Sequence, residues 1–223
     1  MKKNIIILTK SIKHGGFCVA GIDTDNGECI RLISSDANSE HAVPYQDMVC
    51  EDGNEVEVLD SVEVDIISAC PLRVQPENYL YNENVKWKRI RTSNINEVID
   101  IHGIDNPQYV FGNSDAKLTD DNIYLARRSL LLLEVENPTY FIKTFPNGKK
   151  VQLNFTYNGY LYRYLKVTQQ DIYNYYMNQT DGIYDADTNL FVFSLTDKYE
   201  LSGKYYKVMA QALWFICRRG RYE

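Results

Sequence analysis

The sequence predicts an all-β protein with only a few short helices, folded as two small β-barrels in tandem. Three observations carry that expectation. Short β-rich runs recur along the whole chain with Gly, Asn and Asp between them, and Asn-Gly pairs stand between apolar runs at 147–148 and 158–159. The charge balance also changes midway: Met1 to Gly112 holds 10 Lys+Arg against 18 Asp+Glu, a balance of −8, while Asn113 to Glu223 holds 14 against 12, a balance of +2. That change coincides with a stretch rich in Gly, Pro, Asn and Ser from Gly103 to Asp121, so the expected units are 1–112 and 113–223. One continuous sandwich of the same strands is the competing architecture.

The first element is the apolar run Ile5-Ile6-Ile7-Leu8. After the polar loop Thr9 to Gly16 comes Phe17-Cys18-Val19-Ala20-Gly21-Ile22, and a turn at Asp23 to Gly27 leads into Cys29-Ile30-Arg31-Leu32-Ile33-Ser34, completing a β-meander. Val62, Val64 and Ile66 alternate with Glu63 and Asp65, the period of two of a half-buried strand. Pro71 and Pro76 confine Leu72 to Val74 to an edge or a connection. Asn94 with Glu97 three residues on, and Gly103 at the end, predict a short capped helix.

In the second half, Ser129 to Val135 fits a strand, although its four leucines also fit a helix begun near Thr119. Tyr140 to Phe145 and Lys150 to Thr156 flank Pro146-Asn147-Gly148-Lys149 as a hairpin, and Asn158-Gly159 joins a third strand, Tyr160 to Leu165. Thr168 to Asp171 reads as a capping box opening a helix through Met177, before two strands at Leu190 to Leu195 and from Tyr205 to near Ile216.

Composition excludes several classes. Hydrophobic content of 44% with 24% charged residues is that of an ordinary globular chain rather than a disordered one. No apolar stretch approaches the roughly 18 residues that span a bilayer, and the run after Lys3 is too short for a signal-peptide core, so the expectation is a cytoplasmic protein without membrane contact. Cysteines at 18, 29, 50, 70 and 217 form no close pair, and His14, His41 and His102 are dispersed, which predicts reduced thiols, no metal and no cofactor. No nucleophile elbow, phosphate loop or zinc-hydrolase motif is present, so no enzyme is expected. A Cys/His pair from Cys18 or Cys50 with His14 or His41 needs proximity in space to mean anything. The net charge of −6 argues against coating duplex DNA by bulk attraction.

Two regions carry binding chemistry. The loop Lys10-Ser11-Ile12-Lys13-His14-Gly15-Gly16 joins cations to a Gly pair with no acidic residue, and Arg31 can converge on the same edge; the bland reading is a soluble turn. Asp36 to Asp65 holds ten acidic residues and no Lys or Arg, which reads as a solvated loop face away from any anion site. Eight of the 18 tyrosines fall between 157 and 184. In strict alternation Tyr160, Tyr162 and Tyr164 share one face beside Lys166, either as a stacking platform for bases or packed under the following helix. The basic end Arg218-Arg219-Gly220-Arg221 is a further candidate contact.

The string Ile6 to Ile22, followed by Gly27-Glu28-Cys29-Ile30-Arg31-Leu32-Ile33-Ser34, resembles bacterial proteins carrying the dual OB-containing domain. The resemblance implies two OB-like barrels and recognition of nucleic acid or a nucleotide, in the setting of bacterial defence or conflict systems. Cys29 stands where the family carries an aromatic residue, which removes a stacking group there. The reading is therefore a non-enzymatic module for single-stranded DNA, RNA or a nucleotide, the alternative being an assembly component that meets a protein partner through the Tyr-rich surface.

Overall fold

A computed structural model describes residues 1–13 and 15–214; His14, Cys217 and the basic end at 218–221 lie outside the described residues. The chain forms two compact units, the first from Met1–Ala69 and Tyr79–Gly103 with Leu213 and Trp214, the second from Cys70–Asn78 and Ile104–Ala212. The units part at Gly103 and Ile104, at the start of the polar stretch, and exchange a short segment at 70–78.

In the first unit β1 (Lys2–Lys13), β2 (Gly16–Asp23), β3 (Cys29–Ile33), β4 (Asp60–Ala69), β5 (Asn78–Tyr81) and β6 (Lys88–Thr92) precede α1 (Ile95–His102). The sheet runs β1-β2-β3-β5-β4-β6, and β1 also pairs with β4, which closes five strands into a barrel and leaves β6 outside it. Closure works because β1 is long: Lys2 to Ile6 pair with β4, while Ile5 to Lys13 pair with β2. Strands buried on both faces read as continuous apolar runs. Ile5 to Ile7 are accordingly fully buried, with Ile5 and Ile7 in the core cluster that holds Val19, Ile30, Leu32, Val62, Val64 and Trp87.

The second unit repeats the order. It contains β7 (Lys117–Leu118), β8 (Leu130–Glu134), β9 (Glu136–Phe145), β10 (Gly148–Tyr157), β11 (Tyr160–Val167), α2 (Gln170–Met177), β12 (Gly182–Asp185), β13 (Leu190–Tyr199) and β14 (Lys204–Leu213). The sheet runs β12-β9-β10-β11-β14-β13-β8. Only Val135 separates β8 from β9, so one chain path pairs with β13 through its first part and with β10 through its second. That path plays the part of β1. A ring of five strands cannot alternate direction throughout, so one seam must be parallel. Here it is β11 with β14; in the first unit the antiparallel pairings of β1, β2, β3, β4 and β5 leave β3 and β5 running the same way.

Local signals explain most elements. The Asn94 side chain accepts the Glu97 amide at 3.1 Å, and Gly103 ends α1 at φ 82°. Asn158 and Gly159 adopt φ 49° and 77°, the two left-handed residues of a tight hairpin between Tyr157 and Tyr160. Gly148 faces Phe145 in register, so the preceding two-residue loop is Pro146-Asn147 rather than Asn147-Gly148. The predicted capping box on α2 is absent: Gln169 is the cap residue without a side-chain bond, and the Thr168 hydroxyl donates to Met209 O. Residues 117–125 form a two-residue strand and a single turn, and the leucines of 130–133 are strand.

The exchanged segment is pinned by a buried carboxylate. Glu77 Oε1 accepts both the Ser129 amide, at 2.9 Å, and the Ser129 hydroxyl. Gly21 marks the tightest approach in the first barrel, since a Cβ there would lie 2.1 Å from Ile6 O. Gly21→Ala should therefore cost about 1–3 kcal/mol or more, because backbone must move. At Gly53 a Cβ meets nothing within 4 Å and only φ +80° opposes it, so Gly53→Ala should cost about 1–2 kcal/mol. Urea denaturation of the two variants checks the order.

Candidate nucleic-acid interface

The loop cations that the sequence singles out on the first barrel are already committed. Lys10 Nζ lies 3.0 Å from Glu55 Oε1 and 2.9 Å from Glu57 Oε2, and it donates to Val56 O. Burial disfavours its charge, but the hydrogen bonds to Glu57 and Glu55 outweigh that and hold the ammonium above the ordinary lysine range. Lys13 Nζ is 3.8 Å from Glu40. Ser11 is buried, and Arg31 is only 5% exposed, its guanidinium donating to Cys18 Sγ. All three carboxylates come from the acidic run that the sequence places on a solvated face. The run folds back over β1 instead.

The Gly pair has two separate reasons. Gly15 adopts φ +82° with open space around it, whereas a Cβ on Gly16 would lie 2.6 Å from Val43 O, where Phe17 and Val43 exchange backbone hydrogen bonds of 2.8 Å. The left-handed residue is Gly15. Gly16 is needed for close approach.

On the second barrel the tyrosines do not form one row. Leu153 faces Leu165 and Phe155 faces Tyr162, so Asn154 alone stands opposite Arg163 and Tyr164, a β-bulge with Tyr164 at φ 63°. The extra residue shifts the alternation: Tyr162, Leu165 and Val167 point inward, while Leu161, Tyr164 and Lys166 are exposed. Tyr162 is fully buried, stacked on Phe155 with centroids 5.0 Å apart. Its hydroxyl accepts from Val110 N and donates to Asn113 O, each at 3.0 Å, and burial pushes the phenol up to about 12. Tyr160 is partly exposed but pairs with Tyr109, whose centroid is 4.6 Å away. The rings that pack against α2 are Tyr140 and Tyr184, which meet Tyr176 of the helix itself.

The outer face of β9, β10 and β11 carries what remains open. Ile183, Phe141, Gln152 and Lys166 are in register across β12, β9, β10 and β11, and Lys143 faces Lys150 in a neighbouring row. Tyr164 is 50% exposed and meets Phe141 edge-on at 5.2 Å. Its amide donates to Asn154 Oδ1 at 2.8 Å, and its carbonyl accepts from Gln152 Nε2 at 2.9 Å. Lys150 Nζ lies 5.1 Å above the Phe145 ring at the hairpin tip. Lys150, Arg163 and Lys166 form no ion pair among the described residues, and Lys143 is 3.8 Å from Asp181. Half-exposed aromatics among unneutralised cations can stack bases and hold phosphates. Sequence reading missed Phe141, Lys143, Lys150 and Gln152, whose spacing of two along a hairpin was the available signal.

Lys207 sits behind this face, 1% exposed, with Nζ donating to Asn113 O at 2.7 Å and Asn113 Oδ1 at 2.6 Å and lying 5.2 Å above the Tyr162 ring. Burial pulls its ammonium down to about 7. Below pH 7 folded and unfolded chains both carry the proton. Between 7 and the ordinary lysine range only the unfolded chain does, so stability rises with pH there, by up to about 1.4 kcal/mol per pH unit. Lys207→Met should remove that rise relative to the parent in denaturation at pH 7 to 9.5. Tyr162→Ala should cost about 3–5 kcal/mol by the same measurement.

Residues 3–212 match the family model described as the Dual OB-containing domain. No curated protein and no solved structure matches the chain.

Proposed function

Since the chain belongs to the family of proteins with a dual OB-containing domain, a fold that takes oligonucleotides and oligosaccharides on the face of its second and third strands, we propose that it is a non-enzymatic module binding single-stranded nucleic acid on the outer face of β9, β10 and β11. The observation that carries this reading is the Tyr164 and Phe141 pair, held by Asn154 and Gln152 and flanked by Lys143, Lys150 and Lys166. The Lys10 to Gly16 loop of the first barrel supports it by contrast, because Lys10 faces Glu55 and Glu57 and Lys13 faces Glu40. Base stacking suits the half-exposed ring, and exposed lysines suit the backbone.

A cytoplasmic setting, expected from the lack of a long apolar run in the sequence, and a part in bacterial defence, implied by the family resemblance, belong to the same proposal. No helix among the described residues is long and apolar enough to cross a membrane. A protein partner is the second reading, favoured by Ile183 and Leu161, which are 67% and 51% exposed and offer aliphatic contact rather than stacking.

Anisotropy titrations with labelled single-stranded DNA and RNA at two salt concentrations test the proposal. Tyr164→Asn removes the ring while keeping a residue type that tolerates the left-handed backbone, and it should weaken binding by about 1–3 kcal/mol without lowering the melting temperature. Replacing Lys143, Lys150 and Lys166 by Ala should flatten the salt dependence by about 0.7 log units per lost contact. Absence of binding to either strand type at low salt refutes the assignment, and salt-insensitive association with a protein favours the second reading.

A further inference from the structure

The turn after β2 and the end of α1 bring together a thiol and an imidazole that the proposed interface does not use. Cys29 opens β3 and His102 closes α1; Cys29 Sγ and His102 Nε2 are 4.0 Å apart, and both side chains are half-buried. The other ring nitrogen, His102 Nδ1, lies 2.7 Å from Gly27 O. A carbonyl oxygen can only accept, so the neutral ring carries its proton on Nδ1 and turns the Nε2 lone pair toward the sulfur. That is the orientation in which an imidazole takes a proton from a thiol.

The chain builds this meeting from both sides. Gly27 adopts φ +72°, and a Cβ there would lie 2.5 Å from Ile101 O, so only glycine lets the turn sit against the helix end. Asn94 and Gly103 fix where α1 begins and ends, and hence where His102 stands. The pair is also distinct from the Cys/His combinations that the sequence suggests, since it joins residues 73 positions apart.

We propose that Cys29 is a peroxide-reactive thiol for which His102 serves as proton acceptor and then proton donor. Nε2 takes the thiol proton as the sulfur attacks one oxygen of hydrogen peroxide. The S–O bond forms while the O–O bond breaks, and the departing hydroxide takes the proton from the imidazolium. Cys29 sulfenic acid and water result, with the two electrons lost by sulfur gained by the peroxide. Two features favour a peroxide over a disulfide as the oxidant. Hydroxide leaves poorly unless it is protonated, so an adjacent acid matters more to it than to an expelled thiolate. A half-buried sulfur also favours a small oxidant.

Cys50 and Cys18 sit in different surroundings. Cys50 is fully buried, and burial pushes its thiol up to about 11. Cys18 faces Arg31, which cannot accept a proton.

The test treats the reduced full-length protein with hydrogen peroxide in the presence of dimedone and maps the adducts by peptide mass spectrometry. Cys29 should be labelled several-fold faster than Cys70, which is also half-buried. His102→Gln should slow labelling at Cys29 by about a hundredfold, the usual contribution of a positioned acid-base group, and leave the Cys18 and Cys70 rates unchanged. Equal rates at Cys29 and Cys70 in the parent protein, or an undiminished Cys29 rate in His102→Gln, overturn the proposal. The parent comparison decides by itself if the variant fails to fold, and His102→Asn is the second variant.

Discussion

Ring closure is the constraint on which both units depend. In each, the first strand must serve two partners, one along its opening residues and one along the remainder. β1 does so across 12 residues, with Ile5 and Ile6 bonded on both edges, and a register shift between Ile7 and Thr9 supplies the bend. The second unit meets the same demand by breaking the strand at Val135 and setting Asn137 at φ 50°. Closing the ring also removes the edges that so many strands would otherwise expose. Its odd strand count then forces a parallel seam, and a parallel pair needs a long crossover. α2, β12 and β13 lie within the crossover of the second unit, while the acidic stretch and β4 lie within that of the first.

The two crossovers give similar barrels opposite electrical character. In the first, Glu40, Glu55 and Glu57 return to Lys13 and Lys10, so the rim neutralises itself. Lys10 is pinned between two carboxylates and a carbonyl in a partly buried setting, where losing one partner would leave charge uncompensated. In the second, Lys149 is taken by Met177 O and Gln179 O at the end of α2, a favourable place for a cation. Among the described residues Lys150, Arg163 and Lys166 have no carboxylate partner. A charge count over sequence halves shows that the balance changes, but not that Glu40, Glu55 and Glu57 return to Lys13 and Lys10.

What could be read from the sequence was what local chemistry decides. The alternation at Val62 to Ile66, the Asn94 cap and the Asn158-Gly159 turn each involve residues within a few positions of one another, and each appears in the structure. What could not be read depends on distant partners or on a single inserted residue. Lys10 meets Glu55 across 45 positions, and His102 meets Cys29 across 73. β5 and β12 have four residues each, too few to show a period, and β12 carries the exposed Ile183. The Tyr face failed for a different reason. Strict alternation places Tyr160, Tyr162 and Tyr164 together, and one extra residue opposite Asn154 is enough to turn Tyr162 inward and restart the pattern at Leu165.

That bulge also explains why the proposed platform is well placed to bind. Positions that break a local rule are where a fold re-aims a side chain, and here two tyrosines two residues apart serve opposite purposes. Tyr162 anchors the strand in the core and ties down Val110 and Asn113 through its hydroxyl. Tyr164 then leaves the barrel from a backbone whose amide and carbonyl are each held by a β10 side chain. A ring presented from so constrained a segment has little backbone freedom left to lose when a base stacks on it, so more of the stacking energy remains as affinity. The strain of a left-handed tyrosine is thereby offset within the strand itself, by Asn154 and Gln152 on one side and the buried Tyr162 on the other.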